Sequence, residues 1–295
     1  MTAGAPRTIV LGAAGQVGSA LMVQLGDAGV GITRKEVDIT LRSELISALN
    51  NAGPACALIN AAAYTNVERA ESERDLAFAV NADAAGWAAA WAAEREIPFA
   101  HYSTEYVFPD GNGRPWRERD QTAPLSAYGA SKRAGEIAVQ EAYPRGLIIR
   151  TSWVYSDQAN NFVRKVLQLA AENPSLSMVA DQWGSPTYAP VLAWATLRIV
   201  RDAALESSIA GGIIHLASGR SVSRAEFARA IIAVGVAEGV LKMAVPVIDI
   251  STDAYASAAQ RPLHCVLDCS QSEALGVHLG PWEDSLSIAV RAARR

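Results

Sequence analysis

The sequence predicts an α/β fold, a doubly wound parallel sheet with helices on both faces, joined to a smaller, closely packed C-terminal domain. Three observations carry this expectation. Short apolar runs alternate with longer helical patterns through the first half of the chain, the mark of βαβ units. The first apolar run ends in a glycine-rich turn that opens a helix. Beyond about residue 155 the alternation loses its regularity, and no low-complexity linker or internal repeat separates the two parts.

Taken in order, the strands expected are 8–11 (TIVL), the region around 31–33, 57–60 (ALIN), 98–103 (PFAHYS) and 147–152 (LIIRTS). Helices are expected near 16–27, 41–51, 73–95 and 127–142; the third is rich in alanine and other good helix formers. The polar loop 109–126, full of turn formers, is long enough to suggest a function. Further on, helices near 188–206, 223–236 and 281–294 and a strand at 213–217 are visible. The expected division is 1–155 for a first domain, with 188–217 returning to it, and 156–295 mainly for a second.

Composition narrows the function. A chain of 295 residues, 50% hydrophobic, can bury a substantial core. Its formal net charge of −4 and scattered Lys and Arg offer no footprint for nucleic acid or an acidic membrane. The three cysteines, Cys56, Cys265 and Cys269, suggest neither a disulfide framework nor a zinc site, and fit a reduced, cytoplasmic protein. The N-terminal run is interrupted by Gly and Gln and reads as strand–turn–helix rather than as a signal peptide. No apolar run approaches the roughly 20 residues that span a bilayer.

In TIVLGAAGQVGSAL, Gly12, Gly15 and Gly18 follow the first strand and open a helix. Glycines there let the backbone turn sharply and approach a pyrophosphate, while the helix N-terminus offers N–H groups and partial positive charge. This context favours a Rossmann-type dinucleotide site over a merely structural tight turn. After the second strand come Arg34 and Lys35, with Asp38 further on. Basic residues there suit a 2′-phosphate and lean towards NADPH; a solvated charge cluster accounts for them equally well.

Of eight tyrosines only Tyr128 has a lysine four residues later, in YGASK. On a helix, Tyr128 and Lys132 share a face. A phenol titrates near 10, and a nearby ammonium favours its phenolate, which would tune it for proton exchange with a carbonyl oxygen while a nicotinamide supplies hydride. Ser103 and Thr104 end the fourth strand, where a hydroxyl could share that oxygen. Turn, hydroxyl and YxxxK in this order are far more specific together than any one alone.

With these blocks in place, the chain resembles the extended short-chain dehydrogenase/reductases, and more closely the dTDP-4-dehydrorhamnose reductase family. The likeness runs through GAAGQVG (12–18), NAAAYTNVERAES (60–72), HYSTEYVF (101–108), SAYGASKRAGE (126–136), RTSWVY (150–155) and DQWGSPT (181–187), with RPLHCVLD (261–268) weaker. The resemblance implies reduction of the C4 keto group of dTDP-4-dehydro-L-rhamnose by NADPH or NADH, in a monomer or homodimer. It makes Tyr128 the proton donor, Lys132 the ligand of the nicotinamide ribose and Thr104 a partner of the sugar oxygen. Gly15, Gln16 and Val17 would line the pyrophosphate, Arg34 would sit near the adenosine end, Asp38 and Ile39 would flank the adenine, and Ala62, Ala63 and Tyr64 would pass beneath the cofactor. Val67, Glu105 and Trp153 would meet the sugar, and DQWGSPT would hold the nucleotide end of the substrate.

Two departures bear on this. The family pattern STDYVF becomes STEYVF, so Glu105 carries its charge one methylene further out. Some relatives bridge a dimer through a metal on acidic side chains; Ala20 and Pro190 stand at the corresponding places, so no structural metal is expected. Two rivals remain. A sugar-nucleotide 4,6-dehydratase or epimerase would use the same scaffold, but dehydratases have consecutive Asp-Glu after the threonine, where this chain has Glu105 and Tyr106. A non-catalytic dinucleotide-binding subunit, like the regulatory β subunit of methionine adenosyltransferase, is the other.

Overall fold

The structure is a computed structural model and describes residues 5–294 except 112, 159–160 and 206–210. Among the described residues, strands β1 (Arg7–Leu11), β2 (Gly29–Ile32), β3 (Ala55–Asn60), β4 (Phe99–Thr104) and β5 (Leu147–Thr151) join a late strand, Gly212–His215, in one sheet. All pairings are parallel, and the spatial order is late strand–β5–β4–β3–β1–β2. The order reverses beside β1, where an open α/β sheet places its ligands at the carboxyl ends of the strands.

Helices cover both faces. On one lie α1 (Gln16–Leu25) and the long helix Ala189–Leu205, packed with Val10, Ile59, Tyr102 and Ile149 of the sheet. On the other lie α2 (Arg42–Asn51), α4 (Ala84–Ala93) and α5 (Ala127–Ala142), against Ile9, Leu58, Phe99 and Ile148, while the short α3 (Arg74–Phe78) packs through Ala77 on the start of α5. Alternate strand residues thus feed opposite layers, as the period-two pleat requires. Each fully buried Ile or Leu contributes roughly 1.5–3 kcal/mol.

The helix expected over 73–95 is broken. α3 passes through a π turn at Ala79–Asp83 before α4 begins. The extra residue turns buried Asn81 towards Tyr64: Asn81 Oδ1 accepts from Tyr64 N at 2.8 Å, and its Nδ2 donates to Tyr64 O and Ser131 Oγ. A buried amide left without partners would cost about 1–3 kcal/mol, more than a regular helix turn returns. The second strand stops at Ile32 because Thr33 turns its N–H and hydroxyl to the Glu36 carboxylate.

A second layer stands over the carboxyl ends of the strands. It holds β6 (Val154–Tyr155), α6 (Phe162–Glu172), β7 (Leu176–Val179), β8 (Trp183–Gly184) and β9 (Thr187–Tyr188), after which the long helix, α7, and the late strand, β10, return to the sheet. β11 (Val222–Ser223), α8 (Arg224–Ala237), β12 (Val247–Ile250), α9 (Ser270–Ala274) and α10 (Glu283–Ala292) complete it. Its core is more aromatic, with Tyr155, Tyr188, Phe227 and Trp282 mutually packed. The two-residue strands are too short to show a period; α6 is not, since Val163, Val166, Leu167 and Ala170 fall on one buried face, and the sequence reading missed it. Glu206, the last residue of the helix expected at 188–206, and Asn112 of the long loop lie outside the described residues.

Candidate active site

β4 and α5 bring the expected catalytic residues together. Ser126 caps α5, its hydroxyl accepting from Gly129 N, so Tyr128 falls in the first helical turn and Lys132 one turn later. Thr104 ends β4 and starts a short 3-10 turn at Glu105–Val107. Its hydroxyl donates to Glu105 Oε2 at 2.8 Å and accepts from Tyr106 N. Against burial and Glu105, Thr104 acts to lower the Tyr128 phenol.

Electrostatics here depart from the expectation that Lys132 lowers Tyr128. Burial, and then the Glu105 carboxylate, push the phenol well above its ordinary value. Lys132 Nζ turns instead to the Tyr102 carbonyl at 2.5 Å and to His101 Nε2 at 3.3 Å, and burial brings it down to about 8 against the opposing pull of Glu136. Tyr128 is therefore fully protonated at neutral pH, the state needed to give a proton away. Glu105 is buried, and desolvation raises it to about 7 despite hydrogen bonds from Thr104 and Ser152 and the charge of Arg224. The longer carboxylate turns back onto Thr104, which answers where the extra methylene goes.

Beneath the site lies a buried ion pair. Arg150 of β5 donates to both oxygens of Glu136 at 2.7 and 2.8 Å, Ser103 Oγ adds a third bond at 2.6 Å, and the Arg150 guanidinium lies over Phe108. Ser103 is thus committed to the scaffold, and Thr104 alone of the two hydroxyls addresses Tyr128.

The glycine turn is built for close approach. Gly12 has φ 75°, and a Cβ there would meet Ala62 N at 2.5 Å. A Cβ on Gly18 would strike the Gly12 carbonyl. α1 begins without a side-chain cap and without an acidic residue in its first turn, leaving its N-terminus open to an anion. Val17 packs at the edge of the sheet core, while Gln16 donates to Val154 O and accepts from Ser156 Oγ, tying the turn to the second layer. Ala62, Ala63 and Tyr64 leave β3 alongside this turn, and Tyr64 OH donates to Glu73 at 2.5 Å. These features fit a dinucleotide. At the far end, Asp38 accepts from Thr40 N and Oγ1, next to half-buried Ile39, whereas Arg34 and Lys35 are exposed and make no ion pair among the described residues.

The second layer supplies a wall that is joined to Tyr128 through Tyr106, whose ring lies edge-on to it at 5.9 Å. Trp153 is half-buried with φ 40°, and its indole is packed so closely on Gly184 that a Cβ there would overlap it. Arg224, which sequence reasoning missed, lies 4.1 Å over the Trp153 ring, donates to Tyr106 OH at 3.1 Å and is held by Gln182. In DQWGSPT, Asp181 and Gln182 bind Thr252 and Trp183 N donates to Leu263 O, so these groups fasten the wall. A strap crosses beside Val67: Glu68 accepts from Ser257 Oγ, Ala258 N, Ala259 N and Arg261. Ala20 is buried, and the Pro190 carbonyl accepts from Gln24.

A parallel sheet with a glycine turn after β1 and a Tyr–Lys pair on the helix after β4 defines a short-chain dehydrogenase/reductase. Within that class, the family model described as RmlD substrate binding domain matches residues 6–295, and the chain belongs to that family. It is 40% identical over 284 residues to a dTDP-4-dehydrorhamnose reductase of Sinorhizobium fredii, covering 95% of each chain. It is 38% identical to the Burkholderia thailandensis protein of the same name, covering 97% of this chain and 98% of that one. The structure is similar to the dTDP-4-dehydrorhamnose reductase of Bacillus anthracis in complex with NADP, with TM-score 0.87, 33% identity and coverage of 96% and 98%.

Proposed function

We propose that the protein reduces the C4 keto group of dTDP-4-dehydro-L-rhamnose with NADPH, giving dTDP-L-rhamnose. The observation that carries this reading is the placing of Tyr128 in the first turn of α5, by Thr104 at the carboxyl end of β4 and edge-on to Tyr106, whose hydroxyl accepts from Arg224. Relatives named for this reaction, aligned over nearly the whole chain, support it. When bound, the nicotinamide supplies a hydride to the carbonyl carbon. The chain's own part is to hold and move a proton. Tyr128 donates to the ketone oxygen as negative charge develops on it, and Thr104 steadies the same oxygen by turning its hydroxyl proton from Glu105 to it. The first turn of α1 binds pyrophosphate, and the unpaired cations Arg34 and Lys35 favour a 2′-phosphate, hence NADPH over NADH. Trp153 offers an apolar face to the deoxysugar. The single carboxylate after Thr104, followed by Tyr106, counts against a 4,6-dehydratase.

The test is NADPH oxidation followed at saturating cofactor. Oxidation is expected with dTDP-4-dehydro-L-rhamnose and not with dTDP-glucose. Tight cofactor binding without oxidation in the presence of the keto sugar overturns the reading.

A further inference from the structure

Behind the site is a buried line of side chains that the reaction as described does not use. Asn60 ends β3, His101 lies in β4 and Lys132 on α5, and each is almost wholly buried. Asn60 Nδ2 is 3.1 Å from His101 Nδ1, and His101 Nε2 is 3.3 Å from Lys132 Nζ. The polarity of the line is set at its far end. The backbone N–H of Ala62 can only donate, and it donates to Asn60 Oδ1 at 3.1 Å. The amide NH₂ therefore faces His101 Nδ1, which must accept, so the imidazole carries its proton on Nε2. That N–H points at Lys132. An ammonium, with three donors and no lone pair, opposes it; an amine accepts it while still donating to the Tyr102 carbonyl.

We propose that Asn60 and His101 are positioning residues for the reductase reaction, a tautomer-locked pair that donates Nε2–H to Lys132 and favours its amine form. The proposal rests on the reductase reading above. As Tyr128 loses its proton to the substrate oxygen, water relays a proton from the Lys132 ammonium to the phenolate, so that one Lys132 N–H bond breaks and the phenol O–H re-forms. The amine left behind is the state that the His101 N–H stabilises, and water protonates it afterwards. A lysine made more acidic in this way is a better donor to a phenolate whose own proton affinity is high.

The other groups facing Lys132 have been placed. From β4 come His101 and the Tyr102 carbonyl, and from its own helix Glu136 one turn later. The Glu136 charge, which favours the ammonium, is neutralised by Arg150 of β5 and by Arg133. His101 itself is held neutral by burial and then by Lys132, so it donates as an imidazole and not as an imidazolium.

Asn60→Asp reverses the lock. The new carboxylate still accepts from Ala62 N–H but also accepts from Nδ1–H, which turns the Nε2 lone pair to Lys132 and favours the ammonium. Nitrogen-15 spectra of His101 in the full chain should show a bare Nδ1 and a protonated Nε2 in the wild type, and the reverse in N60D. The carbon-13 titration of Lys132 Cε should move up by about one unit or more, a tenfold change. The limb of the kcat/KM pH profile that reports Lys132 should move the same way. A wild-type His101 protonated on Nδ1 overturns the proposal, as does an unchanged Lys132 titration in folded N60D. Should N60D not fold, the wild-type spectrum alone decides. A wild type that fails to oxidise NADPH with the keto sugar sinks the reductase reading and leaves the tautomer measurement standing.

Discussion

The two sides of the cleft are built on opposite plans. On the sheet side, Thr104, Glu105, Lys132 and His101 are buried, and each has its polar atoms satisfied by neighbours on β3, β4 or α5. On the other side, Trp153, Arg224 and Glu68 are partly exposed and stand on loops or helix starts, joined by bonds between segments far apart in sequence. Burial is what shifts proton affinities, so the groups that move protons belong in the core. Recognition of a large polar ligand needs reach and water-accessible surface, which loops supply. On the proposed reading, the difference assigns chemistry and recognition to separate parts of this chain.

If that division holds, Tyr128→Phe should lower kcat by roughly 10²- to 10⁴-fold with cofactor affinity unchanged, since one proton donor is lost and no wall residue moves. Steady-state kinetics with a fluorescence titration of NADPH check it; a loss of less than tenfold would break the comparison on its sheet side. Next in size is Glu105→Gln. The folded wild type holds this proton more tightly than the unfolded chain, so stability present below about pH 4.5 is lost as pH rises through about 7. The variant should match the wild type at acid pH and gain up to about 3 kcal/mol above pH 7, read from urea melts at several pH values. The smallest effect belongs to the strap. Burial raises Glu68, but Ser257, Ala258, Ala259 and Arg261 outweigh it and hold the carboxyl below its usual range. Because the group is partly exposed, Glu68→Ala should cost at most about 1 kcal/mol of stability. It should raise KM for the sugar nucleotide with kcat nearly unchanged, and a fall in kcat as large as that in Tyr128→Phe would erase the distinction between the two sides.

The same division explains what the sequence made legible. β1, the glycine turn, β4 and α5 are long periodic elements whose functional residues sit at fixed spacings, so Gly12, Thr104, Tyr128 and Lys132 could be read from one strand end and one helix face. Arg224 could not, since nothing local marks the first residue of α8 as the partner of Trp153, 71 positions earlier, and of Tyr106. His101 was in plain view within HYSTEYVF, yet its role depends on Asn60 across the sheet and on Lys132 above it. The electrostatics of Tyr128 were misread because spacing places Lys132 on the right face but does not say that its Nζ bonds to the Tyr102 carbonyl. The broken helix at 79–83 has the same origin, a buried Asn81 whose partners lie on other elements.

That π turn has a consequence for how the chain tolerates insertion and deletion. Ala79–Asp83 accommodates one residue more than an α-helix would. Removing a single residue there would restore an uninterrupted helix at no obvious cost in propensity, yet would rotate everything before it by about 100° relative to α4. Asn81 would leave Tyr64, and the segment that follows β3 would lose its anchor beside the glycine turn. A one-residue deletion in the most forgiving-looking stretch of the sequence, an alanine-rich helix, would unfasten the segment beside the glycine turn and part Asn81 from Ser131 on α5.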